Sequence, residues 1–427
     1  WGCEMMTKRS IPLLVLGLTL FTGGCDALND LLSVDAPSQV IATDLENPAA
    51  ATLLVASVAN EFRCTLTYFA TASALTGNEW RDASNNSVMN IWDQRVHDTS
   101  GYGSQYASAD CGSNQPAIYQ PLSRTRWLAD LSLTLLDGWD VGDVPDKAEL
   151  TAEAAMYAGY TYVLFGEAMC SVAFDDGPEQ TPADAFELAV QRFDQSIGAG
   201  ASGDILDAAR VGKARAQLNL GQVAAAGATA GSVTAGFSLE LNYSNAESVT
   251  RNKQWEFNID DENVTVAEPY RAFMTEGMLD PRISVTDEGT THPQTGIAIY
   301  TNDKYPDAST PVEMASWEEA QLIVAEAEVG AGNHAAAVAI IDALHTAVGL
   351  PVYSGGVNAV EVMAQIVEER KAEMFLEGHH LQDIKRLGIP LYPETGTDDG
   401  FGGAYGSQVC FDLPATEFQN NGTITGG

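Results

Sequence analysis

Basic residues are scarce in this chain of 427 residues. Lysine and arginine together number 21, against 58 aspartates and glutamates, and the formal net charge is −37. A surface of this charge repels phosphate backbones, so we exclude binding to nucleic acid, and we expect no direct binding to anionic lipid. The composition is compatible with neutral ligands or with cations.

The sequence also lacks the short motifs that mark catalytic and metal sites. It has no GxSxG, no phosphate loop and no dinucleotide fingerprint, and its cysteines and histidines follow no zinc spacing. A glycosidase needs two carboxylates at a defined separation, but 58 acidic residues single out no pair. We therefore expect no enzymatic activity, no cofactor and no metal. Four histidines near the C-terminus are expected to be ordinary packed or exposed residues: His334, His345, His379 and His380.

No apolar stretch after Cys25 approaches the roughly 20 residues that a membrane span requires. Before it, two basic residues precede an apolar run from Ile11 to Phe21, which has the length of a signal-peptide core. The small residues before Cys25 resemble the lipobox of bacterial lipoproteins, although Leu usually stands where Thr22 does. This pattern predicts a signal peptide over residues 1–24 and a lipid on Cys25, so that the chain meets the membrane through that lipid alone. The alternative is an ordinary secretory signal with a chance cysteine.

Four cysteines remain once the first two are set aside. In an exported chain they most simply form two disulfides, for which three pairings exist. We favour Cys64 with Cys111, which would fasten a loop-rich segment to the helix before it. Cys170 with Cys410 would then fasten the C-terminal tail to the middle of the chain. Reduced, buried thiols are the alternative.

Apolar residues recur at helical spacing through most of the chain. Thr181-Pro182 is a typical helix start, because a hydroxyl N-cap is followed by proline in the first turn. Successive helices with small residues at their crossings predict tetratricopeptide-type pairs. Residues 236–311 suggest loops with a few short strands, and residues 77–116 are expected to form loops rather than core. The predicted helices cover residues 48–62, 117–136, 151–168, 182–197, 208–220, 223–233, 316–330, 333–348 and 357–376, and a short helix passes through 383–386.

A signature runs through the C-terminal helices. It consists of a Glu-Arg pair, a further Glu, a Glu-Gly pair and a later Asp with Arg, here Glu369, Arg370, Glu373, Glu377, Gly378, Asp383 and Arg386. This signature resembles that of the SusD/RagB family, although the family often has Arg where His380 stands. Further segments are similar to the family in the same order: residues 154–167, 208–222, 317–328 and 410–420.

The resemblance implies a mainly α-helical, SusD-like domain with tetratricopeptide-type helix pairs and a loop-rich face with a few short β-strands. It also implies a lipid-anchored protein of the outer membrane, exposed at the cell surface and without catalytic activity. Members of the family capture nutrients, and the resemblance makes an oligosaccharide the expected ligand and a SusC-like TonB-dependent barrel the expected partner. The expected organisation is a signal peptide (1–24, of which 1–4 are an over-extended start), a lipidated leader (25–45) and one SusD-like domain (46–427, comprising 46–235, a loop and short-strand insertion 236–310, and 311–427).

Five residues of the loop-rich segment are candidate ligand contacts. No helical period requires aromatic residues there, and aromatic rings stack on the apolar faces of sugars while arginine bonds to their hydroxyl groups. The candidates are Trp80, Arg81, Trp92, Tyr102 and Tyr106. The alternative is that at least half of these aromatic residues anchor the loops to the helical scaffold. Three other tryptophans are expected in the core: Trp127, Trp139 and Trp317.

The charged residues of the signature lie three and four positions apart, where ion pairs with Arg370 and Lys371 are available. We interpret them as a network that braces helix against helix rather than as a catalytic pair. Two other functions stay open: a periplasmic repeat-type adaptor that binds proteins in a helical groove, and a lipid-anchored hydrolase.

Overall fold

The computed structural model describes residues 46–97, 105–111 and 116–424, without the side chains of Gln105, Tyr106 and Asn420. Helices form most of this described chain. The helices are α1 (Ala51–Thr76), α2 (Ser87–Asp93), α3 (Gln105–Ser108), α4 (Tyr119–Gly138), α5 (Lys147–Ala168), α6 (Pro182–Gly198), α7 (Gly203–Asn219), α8 (Val223–Ala230), α9 (Lys253–Trp255), α10 (Trp317–Gly330), α11 (His334–Ala347), α12 (Ala359–Glu373), α13 (His380–Leu387) and α14 (Ala415–Asn420). A mainly helical fold with few strands is therefore confirmed.

Side-chain caps fix several helix starts. The Thr181 hydroxyl accepts from the amide of Asp184, and the Asp184 carboxylate accepts from the Thr181 amide at 2.8 Å, so α6 begins with a capping box at the predicted Thr-Pro. At α12, the Asn358 side chain accepts from the amide of Glu361 at 3.2 Å. The helix therefore begins at Ala359, two residues after the predicted start at residue 357.

The helices pack as successive pairs. α5 contacts α4 and α6, α6 contacts α7, α7 contacts α8, and α8 lies on α10, which also contacts α11 and α12. Small residues stand at the crossings: a methyl group on Gly159 or Gly212 would approach the buried Phe193 ring to 2.7 or 2.3 Å. The predicted helix pairs and their small crossing residues are thus present.

Eight short strands form two-stranded antiparallel ladders within the described residues. They are β1 (Trp80–Asp82), β2 (Ser238–Leu241), β3 (Val264–Val266), β4 (Met274–Thr275), β5 (Met278–Leu279), β6 (Val285–Thr291), β7 (Ala298–Asn302) and β8 (Val312–Ser316), paired β1–β3, β2–β8, β4–β5 and β6–β7. For residues 80–93 the expectation of loops rather than core is wrong, because β1 and α2 pack on α1 and bury Trp80 and Trp92.

Both favoured disulfides are present. Cys64 and Cys111 have their Cα atoms 5.9 Å apart, and Cys170 and Cys410 have theirs 5.0 Å apart. Beside the second bridge, the Cys170 amide donates to the Phe411 carbonyl at 2.8 Å. The C-terminal tail is thereby fastened to the end of α5.

The predicted signal peptide, the candidate lipidation site Cys25 and the predicted leader lie outside the described residues. In the described part, no helix combines the length and apolar character needed to cross a membrane.

We predict that Gly212→Ala destabilises the fold. The added methyl would lie 2.3 Å from Phe193 Cζ, and overpacking of a filled core costs about 1–3 kcal/mol. Gly138→Ala is the control, since Gly138 is also helical, as the last residue of α4, but no atom lies within 4 Å of the added methyl. Thermal unfolding should show a lower Tm for Gly212→Ala and an equal or higher Tm for the control; equal values for the two variants would contradict this account of the crossing.

Candidate functional site

A pocket of about 280 Å³ lies beside β1, the strand that carries Arg81. Successive side chains of a strand alternate, so Trp80 and Asp82 are buried while Arg81 turns to the opposite face. We call this cavity the Arg81 pocket. It is lined by Asn78, Arg81, Ala267, Glu268, Arg271, Tyr392, Pro393, Asp398 and Tyr405.

Two arginines are held in place around this pocket. Arg81 Nη2 donates to the Asp399 carbonyl at 3.1 Å. Arg271 Nε donates to the Val266 carbonyl at 2.8 Å, and its guanidinium lies over the Tyr300 ring, 4.0 Å from the ring centre. Both guanidinium groups are therefore positioned before any ligand binds.

Acceptors and one exposed ring complete the lining. The Tyr392 hydroxyl donates to the Glu268 carboxylate, which raises the pKa of Tyr392. Tyr392 is 46% exposed, so part of its surface is open to a ligand. Asp398 accepts from the Gly400 amide at 2.7 Å. The pocket thus offers guanidinium donors, carboxylate acceptors and an aromatic surface, which together suit a ligand rich in hydroxyl groups.

The buried residue Arg95 fixes the wall that contains Tyr392. Its Nη1 donates to the Tyr392 carbonyl and its Nε to the Gly406 carbonyl, both at 3.1 Å. Its guanidinium also lies over the ring of Tyr405, 4.9 Å from the ring centre. Close to this wall, Gly400 has φ +83°, and a methyl group there would lie 3.1 Å from Arg81 Nη2. Glycine therefore lets the backbone approach the arginine.

A smaller pocket of about 180 Å³ adjoins the first and shares Asn78 and Tyr392 with it. Tyr270 and His380 also line it. Burial lowers the pKa of His380 to about 4, so this side chain is neutral at physiological pH.

Of the predicted ligand contacts whose side chains the structure describes, only Arg81 lines the pocket. Trp80 is 0% and Trp92 is 1% exposed, so the expectation that their rings face a ligand is corrected. The strand alternation buries Trp80, and Trp92 packs edge-to-face on Phe411 with ring centres 5.2 Å apart. These two tryptophans follow the alternative in which aromatic residues anchor the segment to the scaffold.

The two other candidates, Tyr102 and the side chain of Tyr106, lie outside the described residues.

Trp127, expected in the core, is 55% exposed on α4, which corrects that expectation. Sequence patterns missed Glu268, Arg271 and Tyr392, because they come from segments distant from Arg81 and follow no period.

The signature residues form ion pairs with other segments. Glu369 is fully buried and accepts from Arg282 at 2.8 Å and from His345 at 2.6 Å. Burial would raise the pKa of Glu369, but the His345 hydrogen bond and the Arg282 charge outweigh it and lower that pKa. Lys371, an expected partner, instead pairs with Glu368 at 2.7 Å.

The other charged residues of the signature also form ion pairs, some of them with one another. Arg370 bonds to Asp383 at 2.7 Å, and Asp383 accepts from Arg386 at 3.0 Å. Glu373 pairs with Arg282 at 3.0 Å and Glu377 with Lys304 at 2.6 Å, and these four side chains line a cavity of about 450 Å³. Since its cations are already paired, this cavity is a weaker candidate than the Arg81 pocket. In the described part of the chain, no group of three or more histidine, cysteine or acidic residues is arranged to hold a metal ion.

Comparison with known proteins agrees with this architecture. Residues 319–423 match the model of the SusD family. A SusD-like carbohydrate binding protein from Bacteroides vulgatus has the same fold, with 13% identity, a TM-score of 0.67, and coverage of 89% of this chain and 97% of its own. A SusD homolog from Bacteroides thetaiotaomicron gives 15% identity, a TM-score of 0.67, and coverage of 88% and 96%. A SusD superfamily protein from Parabacteroides distasonis gives 12%, 0.67, and coverage of 88% and 98%.

No curated protein sequence matches this chain. The expected SusD/RagB resemblance is nevertheless confirmed: the C-terminal segment carries the family's sequence pattern, and the described chain has the SusD fold.

We predict that Asp93→Asn changes the pH dependence of stability. Asp93 lies behind Tyr405 and accepts from the Asp82 amide at 3.1 Å, and burial raises its pKa from 3.8 to about 8. Between these values the folded protein keeps a proton that the unfolded chain releases, so the stabilisation that Asp93 contributes is lost as pH rises through that window. The asparagine has no such proton. The Tm of the variant relative to the wild type should therefore rise from about pH 4 to about pH 8, and parallel Tm profiles would contradict the burial-driven shift.

Proposed function

We propose that this chain is a non-catalytic, nutrient-binding lipoprotein of the outer membrane, exposed at the cell surface. It captures an oligosaccharide and delivers it to a SusC-like TonB-dependent barrel. The observation that carries the proposal is the Arg81 pocket, in which guanidinium groups, carboxylates and the exposed Tyr392 ring converge on a SusD fold.

The carbohydrate part of the proposal has two supports. Hydroxyl groups both donate and accept, so they can bond to Arg81 and Arg271 on one side and to Glu268 and Asp398 on the other. One solved structure with this fold is described as a SusD-like carbohydrate binding protein.

Binding without catalysis is favoured by the state of the carboxylates in the pocket. A glycosidase uses one carboxyl as an acid and another as a nucleophile or base. Here the Glu268 carboxylate is bound to the Tyr392 hydroxyl, and Asp398 caps the Gly400 amide. Both groups are therefore engaged in local structure, as expected of residues that shape a binding site.

We predict that a panel of neutral and acidic oligosaccharides contains ligands, and that Arg81→Gln weakens their binding. Loss of a hydrogen bond from a charged donor costs about 1.5–3 kcal/mol, so the affinity should fall about tenfold or more. Arg124→Gln is the control, because Arg124 pairs with Glu61 and its side chain is 53% exposed. Calorimetric titration of the purified protein measures both variants. Unchanged binding by Arg81→Gln would place the site elsewhere, and binding of peptides alone would remove carbohydrate from the proposal.

We predict that a TonB-dependent barrel co-purifies with the tagged full-length protein from native membranes in mild detergent. Mass spectrometry should find the barrel in stoichiometric amount. Cys25→Ser should move the protein out of the membrane fraction, because the lipid is the proposed anchor. Recovery of periplasmic proteins alone would favour the adaptor function instead.

A further inference from the structure

The two arginines of the Arg81 pocket have unused donors. Arg81 makes one side-chain hydrogen bond, through Nη2, and its Nε is buried without a partner among the described residues. Arg271 makes its hydrogen bond through Nε, which leaves its two Nη groups for another acceptor. Within the described chain, neither guanidinium belongs to an ion pair.

The two positive charges also act on each other. Burial lowers the pKa of Arg271; Tyr300 and Glu268 oppose this shift, and the charge of Arg81 adds to it. Both side chains are anchored to backbone carbonyl groups, at Asp399 and Val266, so they cannot separate without breaking these bonds. Two like charges held in one half-buried pocket favour the arrival of an anion.

The charge of Glu268 acts on Arg271, but no carboxylate of the lining forms an ion pair with either guanidinium among the described residues. Glu268 accepts from the Tyr392 hydroxyl and Asp398 from the Gly400 amide, and neither is ion-paired with Arg81 or Arg271. Each carboxylate keeps acceptor sites for a hydroxyl group, while the unused guanidinium donors keep room for an anion.

We propose that the Arg81 pocket selects acidic oligosaccharides, and that a uronic acid carboxylate of the ligand binds between Arg81 and Arg271. This inference rests on the proposed carbohydrate-binding function. A carboxylate matches the planar fork of a guanidinium and can accept two parallel hydrogen bonds from it. The hydroxyl groups of the same sugar meet Glu268 and Asp398, and the exposed surface of Tyr392 can contact its ring.

The net charge of −37 does not oppose such a ligand at close range. At physiological salt the Debye length is about 8 Å, so exposed charges farther away are largely screened. The two arginines line the pocket itself and are screened less because they are partly buried.

The test compares oligouronides with their carboxyl-reduced forms, which keep the sugar chain and lose the charge. Galacturonide, glucuronide, mannuronide and guluronide oligomers are titrated into the full-length protein by calorimetry. The wild type should bind at least one oligouronide about tenfold more tightly than its reduced form, the effect expected of a charged hydrogen bond. Arg271→Gln should bring the two affinities together, whereas Arg124→Gln should keep the preference.

Arg271→Lys provides a second variant. It keeps the charge and loses the planar fork, so it should retain only part of the preference. If Arg271→Gln fails to fold, Arg81→Gln is measured in its place. Equal or tighter binding of the reduced forms by the wild type would overturn the acidic-ligand inference and leave carbohydrate binding intact. Absence of binding to every neutral and acidic glycan would overturn both.

Discussion

The tight turn at residues 375–378 holds distant parts of the chain together. Ser73, in α1, and Gln254, in α9, donate to its carbonyl groups at 3.0 and 2.8 Å, and Lys304 donates to a third at 3.1 Å. Glu79, just after α1, accepts from one of its amides at 2.8 Å. Each of these groups is buried or nearly so, where an unpaired backbone group would be costly. The end of α1, and with it β1 and the Arg81 pocket, is positioned by this turn.

The signature residues stabilise this turn and the helices around it, and they do not line the Arg81 pocket. Gly378 has φ +89°, and a methyl group there would lie 2.7 Å from the Phe69 ring, so only glycine lets the turn reach α1. Glu377 is held by Lys304, and Glu369 is held by Arg282. The residues of the Arg81 pocket lie outside the signature. A chain can therefore share the sequence pattern and the fold with proteins that bind other ligands.

Local patterns identified most of the long helices, but they missed the short helix α2 and the pocket. Thr181 with Pro182 marked a helix start through groups within one turn, and two disulfides could be chosen because few pairings exist. Trp80 could have been assigned to the core from the alternation of a three-residue strand, but a strand that short leaves little periodicity to detect. Arg271 and Tyr392 meet Arg81 only through tertiary packing, which no spacing in the sequence encodes.

One wall of the Arg81 pocket, residues 392–405, is a continuous stretch whose two ends are fixed. On one side α13 ends at Leu387, followed by Gly388 in the left-handed conformation. On the other side Cys410 is bonded to Cys170, and Arg95 holds the carbonyl of Gly406. The stretch therefore behaves as a loop closed at both ends, in which the buried Tyr405 and the contacts to the buried Arg95 must be kept, while the exposed positions can change the ligand preference without disturbing the helical core.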